Sequence, residues 1–197
     1  VSAHFPVNLV LRGRPCLVVG AGRIALRKTE QLLVTGAAVT VVAPEVVDGF
    51  ADLPVNVVRR PFVTADLDGQ RLVITATGNR AVDQEIFDEC ERRGIWVNSA
   101  DDPDRCTFTL PATIRRGDLL VTFSSAGSSP ALSSWLRRRF ENLIGVAFAD
   151  VVADLAAERE RVHARGESTE DIDWEPLIDE VLARHGVRIP EIVEVAS

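Results

Sequence analysis

From Pro15 the chain reads PCLVVGAGRIALRKTEQLLVTGAAVTVVAP: an apolar run, a glycine-rich turn, a helical pattern, a glycine stop and a second apolar run. Nothing else in the sequence limits the fold so strongly, because two parallel strands need a crossover between them and a helix is its usual form. In the helical stretch Ala25, Thr29, Leu32, Leu33 and Gly36 fall at i, i+4, i+7, i+8 and i+11, so one small-to-apolar face can lie on a sheet. Residues 17–19 are apolar throughout and 39–43 are apolar except for Thr40, without clean alternation, which predicts a sheet covered on both faces.

The alternation continues. Strands are predicted at 55–58, 72–76 and 95–98, with a helix over 81–93, while 59–69 shows no pattern that supports a full helix. The expected class is α/β, a Rossmann-type doubly wound parallel sheet through about residue 100. Beyond it, 107–114 and 119–124 read as two strands of a hairpin joined by an Arg115-Arg116-Gly117-Asp118 turn. After SSAGSSP the pattern is helical, over 130–143, 147–165 and 174–185, with the polar linker GESTEDID before the last helix.

Charge and cysteine usage exclude several classes. The formal net charge is −7, and the acidic excess lies entirely in residues 151–197, so no basic stripe suited to nucleic acid is expected. Cys16, Cys90 and Cys106 are odd in number and widely spaced, which suggests neither a disulfide framework nor a zinc knuckle. No His/Cys pair has metal-ligand spacing, so no metal site is expected. The apolar runs are too short to span a membrane and VSAHFPVNLV lacks the features of a signal peptide, so a cytoplasmic protein is expected.

The residues that carry chemistry cluster at turns. Gly20-Ala21-Gly22-Arg23-Ile24-Ala25 matches G-x-G-x-x-G/A in the required context, after a strand and opening a helix. Gly20 would permit the tight turn, Gly22 would let backbone N–H groups approach a pyrophosphate, and Ala25 would keep the helix close to the sheet. The acid usual at the end of the second strand is missing; Glu45 is the first carboxylate able to reach a ribose hydroxyl, and Arg23 could face the ribose or a 2′-phosphate. NAD is favoured over NADP only modestly on these residues. Thr75-Ala76-Thr77 and Asn98 to Asp102 end the fourth and fifth strands, where ligands sit in such sheets, so Asp101 and Asp102 are acid/base candidates, although Asp-Asp-Pro-Asp is also good turn chemistry. In SSAGSSP, Ser129 suits an N-cap and Pro130 a first helical position; the small residues could leave donors open to an anion. Arg137-Arg138-Arg139 reads as a solvated or interface face.

Taken together, FPVNLVLRGRPCLVVGAGRIALRK, VTVVAPE, LVITATGN, VNSADDPDRCTFTLPA and VTFSSAGSSPALSSWLRRRFE resemble the precorrin-2 dehydrogenase/sirohydrochlorin ferrochelatase family in order and spacing, over residues 5–145. The resemblance implies NAD-dependent oxidation of precorrin-2 to sirohydrochlorin in sirohaem synthesis and, in some members, insertion of ferrous or cobaltous ion. It places Gly20, Gly22, Arg23, Ile24, Pro44 and Glu45 on the dinucleotide site and Asp101 on the family's essential aspartate. Thr75, Thr77 and Asn98 are assigned to the cofactor side of the crevice. The tetrapyrrole's carboxylates would suit Ser124, Ser125 and Ser128 with Arg105 and Arg115, and Ser124 falls on a serine that is phosphorylated in some fused homologues. A homodimer is implied, with a dinucleotide-binding domain over 1–113, a dimerisation region over 114–146 and a helical domain over 147–197.

The chain departs from the family at Ala21, where a third glycine is common, and at Ser99-Ala100, where the family has Val-Val. No methyltransferase domain follows in this sequence, so the fused three-activity enzyme is not expected. Two other readings stay open: a dehydrogenase for another substrate, and a non-catalytic sensor of NAD or tetrapyrrole.

Overall fold

The apolar runs become five parallel strands, β1 (Pro15–Val19), β2 (Ala38–Val42), β3 (Asn56–Val58), β4 (Leu72–Thr75) and β5 (Trp96–Ser99), in the order β3-β2-β1-β4-β5. This is the Rossmann-type arrangement, seen in a computed structural model that describes residues 4–100 and 102–189. The first strand sits in the middle of the sheet, with its order reversing there, and ligands of open α/β sheets bind outside the carboxyl ends at that point.

Period-2 geometry divides β1 between two cores. Cys16 and Val18 pack with Ala25 and Leu32 of α1 (Arg23–Leu33), while Leu17 and Val19 pack on the other face with Ile86 and Cys90 of α2 (Arg80–Arg93). Both faces are covered, as the largely apolar strands require. Burial raises the Cys16 thiol to about 11 and the Cys90 thiol to about 12, so both are protonated, inert core side chains. On α1 most of the predicted face holds, with Ala25, Thr29 and Leu32 buried and Leu33 packed at its margin, but the helix ends at Leu33 and Gly36 lies beyond it, exposed, in a turn at φ +74°.

Thr29 is fully enclosed, and its hydroxyl has no hydrogen-bond partner. An unmet buried hydroxyl is destabilising, and valine has nearly the same shape. Thr29→Val should therefore raise stability by about 1 kcal/mol, seen as a higher urea midpoint at unchanged slope; a lower midpoint would mean the hydroxyl is satisfied in solution.

The unpatterned stretch 59–69 contains one 3-10 turn, Thr64–Leu67. Asp66 ties it down by accepting from the Val63 N–H at 2.9 Å and from Arg60 at 2.8 Å, and the arginine holds this carboxyl below its usual range. Leu67 is thereby placed in the second core.

The chain divides into two compact units, residues 1–110 and 111–197. In the second, β6 (Ala112–Arg116) and β7 (Leu119–Phe123) pair antiparallel with Arg116 opposite Leu119. The hairpin is shorter than predicted and its turn is only Gly117-Asp118, with Gly117 at φ +55°. Residues 107–111 are not part of it. Thr107 is held instead against β5, donating its N–H to Val97 O at 2.8 Å and accepting from the Val97 N–H at 2.8 Å.

Three helices follow, α3 (Pro130–Glu141), α4 (Phe148–Ala164) and α5 (Glu175–Arg184), close to their predicted spans. Ser129 caps α3 by accepting from the Leu132 N–H at 3.3 Å. Arg116 closes the far end, donating to Ile144 O at 2.9 Å. Val151 of α4 packs with Val181 and Leu182 of α5. Asp154 joins the same two helices through His185 at 2.9 Å and Arg184 at 3.2 Å, and the histidine hydrogen bond leads in holding its carboxyl below the usual range. Among the described residues, no helix is long and apolar enough to cross a membrane.

Candidate functional site

The glycine turn joins the end of β1 to the start of α1. Gly20 has φ +100°, and a β-carbon there would lie 2.3 Å from Ala76 O, so this residue is glycine because β4's exit crosses directly over it. Gly22 is different. A β-carbon there would meet nothing within 4 Å, so packing within the protein does not require glycine. Gly22 is also the N-cap of α1, no side chain caps the helix, and its first turn holds no acid. An uncapped helix start with empty space before it is a site for an anion, and the residues fit a dinucleotide pyrophosphate.

Three strand ends surround this turn. Gly20 donates its N–H to Val42 O at 2.9 Å, Ala76 to Val19 O at 2.8 Å, and Ala100 to Thr75 O at 2.8 Å. After β2, Pro44 and Glu45 are exposed, and Val47 donates to Ala21 O at 3.1 Å, folding the loop onto the glycine turn. Arg23 and Ile24 are exposed at the helix start.

At the end of β4 the two threonines face a residue that sequence reasoning missed. Buried Asp83 of α2 accepts hydrogen bonds from both Thr75 and Thr77, the latter at 2.7 Å. Thr77 also accepts from the Asn79 N–H at 3.0 Å, and Asn79 caps α2 by accepting from the Ala81 N–H at 3.0 Å. Thr75 is fully buried, so its side chain fixes the strand end from behind, whereas Thr77 is partly exposed. A signal for Asp83 existed: with Ile86 and Cys90 it falls at i, i+3 and i+7, an acid within the buried stripe of the helix.

At the end of β5, Asn98 is buried and donates to Phe108 O at 3.0 Å and to Cys106 Sγ at 3.3 Å. Burial raises the Cys106 thiol above its ordinary value. Asp101 lies outside the described residues. Asp102 forms an ion pair with Arg105, which also donates to Gln84 at 2.6 Å. Arg105 is thus buried and engaged within its own unit.

The remaining predicted residues are in the second unit. Ser124 accepts from the Ala126 N–H at 3.3 Å, and Ser125 accepts from the Ser129 N–H at 2.9 Å and lies 3.3 Å from the Ser133 hydroxyl. Ser128 and Arg115 are exposed. Ala126 has φ +50°, a conformation unusual for a residue with a side chain. Among the described residues, no three His, Cys, Asp or Glu side chains are grouped to hold a metal ion.

The family model for NAD(P)-binding matches residues 7–112. A siroheme synthase of Methylobacillus flagellatus is 39% identical over 183 residues, covering 90% of this chain and 39% of that protein. One of Methylococcus capsulatus is 44% identical over 164 residues, covering 81% and 34%. The chain therefore spans less than half the length of these relatives. Among solved structures, SirC, precorrin-2 dehydrogenase, is similar with a TM-score of 0.71 and 26% identity, over 93% of this chain and 99% of that one.

Proposed function

The chain belongs to the NAD(P)-binding family, and from that premise we propose that it oxidises precorrin-2 to sirohydrochlorin in sirohaem synthesis, with NAD as the oxidant. The observation that carries this reading is the likeness to a precorrin-2 dehydrogenase along nearly the whole of both chains.

The oxidation removes a hydride and a proton. Bound NAD supplies the hydride acceptor. The backbone N–H groups of Gly22, Arg23 and Ile24 would hold the pyrophosphate, and Pro44 and Glu45 would line the adenosine side, where the Glu45 carboxylate would accept from a ribose hydroxyl and modestly favour NAD over NADP. Thr77 stays at the crevice while Thr75 and Asn98 hold the ends of β4 and β5 in place. Asp101 takes the proton, a role that rests on the resemblance of VNSADDPDRCTFTLPA to the family. Ser124, Ser125, Ser128 and Arg115 are assigned to substrate carboxylates, and Arg105 to them only if its pairing with Asp102 is exchanged.

A homodimer is part of the proposal. Leu132 and Trp135 of α3 are half exposed and Val146 is 81% exposed, apolar area that a second copy would cover. A cytoplasmic setting suits the free thiols of Cys16, Cys90 and Cys106.

The test is anaerobic incubation with precorrin-2 and NAD, following sirohydrochlorin absorbance. The wild type should turn over, and Asp101→Ala should lose roughly a hundredfold or more of that rate while keeping its affinity for NAD. A folded, NAD-binding wild type that leaves precorrin-2 unchanged would refute the reading. Ferrous or cobaltous ion added as substrate to sirohydrochlorin tests chelation separately.

A further inference from the structure

At the end of the sheet opposite the glycine turn, where β1, β4 and β5 begin, lies a groove of about 290 Å³. Its size is at the small end of organic-ligand sites. Leu9 and Val10 form an apolar side, with Val10 84% exposed, and Trp96 presents a half-exposed indole. Arg14 and Arg71 line it from neighbouring strand starts, with Arg71 donating its N–H to Pro15 O at 2.9 Å. Both arginines are exposed, and neither forms an ion pair among the described residues.

Their neighbour Arg93 shows the contrast. It also lines the groove, but it is neutralised by Glu89 at 2.5 Å and Asp68 at 2.6 Å. Two uncompensated guanidinium groups therefore remain beside an aromatic face, in a chain whose formal net charge is −7. In the same wall, Gln70 Oε1 is enclosed and accepts no hydrogen bond. A buried acceptor without a donor is unfavourable, and because the Gln70 side chain is itself only partly buried, turning its amide toward the groove would let a ligand N–H or O–H satisfy it.

We infer that this groove binds a small aromatic or alicyclic carboxylate that also carries a hydrogen-bond donor. The carboxylate meets Arg14 and Arg71, the ring lies against Trp96 and Val10, and the donor reaches Gln70. None of these groups belongs to the dinucleotide crevice, so both sites can be filled at once.

The test uses 8-anilinonaphthalene-1-sulfonate as a fluorescent probe, with the protein first saturated with NAD. The wild type should bind one more probe per chain than Arg14→Gln/Arg71→Gln, or bind it about tenfold more tightly, the scale of a lost charge-assisted contact. Anthranilate, which has a ring, a carboxylate and an amine donor, should displace this probe better than benzoate or sulfate. Gln70→Leu should abolish the preference for anthranilate over benzoate and leave NAD affinity unchanged. Equal probe binding by the double arginine variant, or equal displacement by sulfate and anthranilate, would each overturn the assignment.

Discussion

Gly22→Asp gives a protein that folds at least as well as the wild type and no longer binds NAD. A β-carbon at this position meets no other atom, so the fold has room for the side chain. Aspartate is also among the preferred N-cap residues, and α1 has no side-chain cap, so the new carboxylate can accept from the helix N–H groups and gain a few tenths of a kcal/mol or more. Those are the donors assigned to the pyrophosphate. The variant fills them and places a negative charge where two phosphates must sit, so calorimetric titration should detect no NAD binding while the thermal midpoint stays level or rises. Retained NAD affinity would move the dinucleotide away from this turn.

Gly20→Ala has the opposite character and should damage the fold itself. Its β-carbon would sit 2.3 Å from a backbone oxygen and 2.7 Å from the carbon that bears it, at a φ of +100° that alanine avoids. Ala76 cannot move aside cheaply, because its N–H is bonded to Val19 O in the centre of the sheet. The expected loss is about 4 kcal/mol or more, read as a fall of roughly 10 °C or more in the melting temperature of the first unit. A wild-type melting curve would mean that β4 leaves the sheet by another path. The two glycines of one motif thus differ: the fold requires Gly20, whereas packing within the protein does not require Gly22, which the proposed function assigns to the ligand.

That distinction could not be read from the sequence, which assigned Gly20 to a tight turn without revealing that β4 passes over it. Much else could be read. The apolar runs became strands because a parallel sheet buried on both faces leaves few other places for them, and α3 begins where Ser129 and Pro130 signal it. What escaped depended on contacts between distant residues. Thr107 belongs to a strand-like stretch, yet its hydroxyl and N–H are taken by Val97, ten positions earlier, so the hairpin starts after it. Arg105 is an arginine beside a predicted crevice, but Asp102 and Gln84 occupy its guanidinium. Asp83 is one acid among several on its helix in the sequence, and only the fold brings Thr75 and Thr77 to it.

The Asp83 network has a bearing on the cofactor side. Its two threonines flank Ala76, whose carbonyl stands over Gly20, so α2 fixes the wall that the glycine turn must fit. Such polar contacts are worth most when every member is satisfied, since the low local dielectric penalises a lone buried acid.

Placing the first strand of the chain third in the sheet also sets a timetable for synthesis. β1 can pair with β2 as soon as α1 has been made, but its other edge stays open until Leu72–Thr75 emerges. During that interval a wholly apolar strand presents unpaired N–H and C=O groups, the kind of edge that recruits other chains. The window between the emergence of β2 and that of β4 is therefore when a nascent chain is most exposed to aggregation, and a ribosome paused there would be the place to look for chaperone contact.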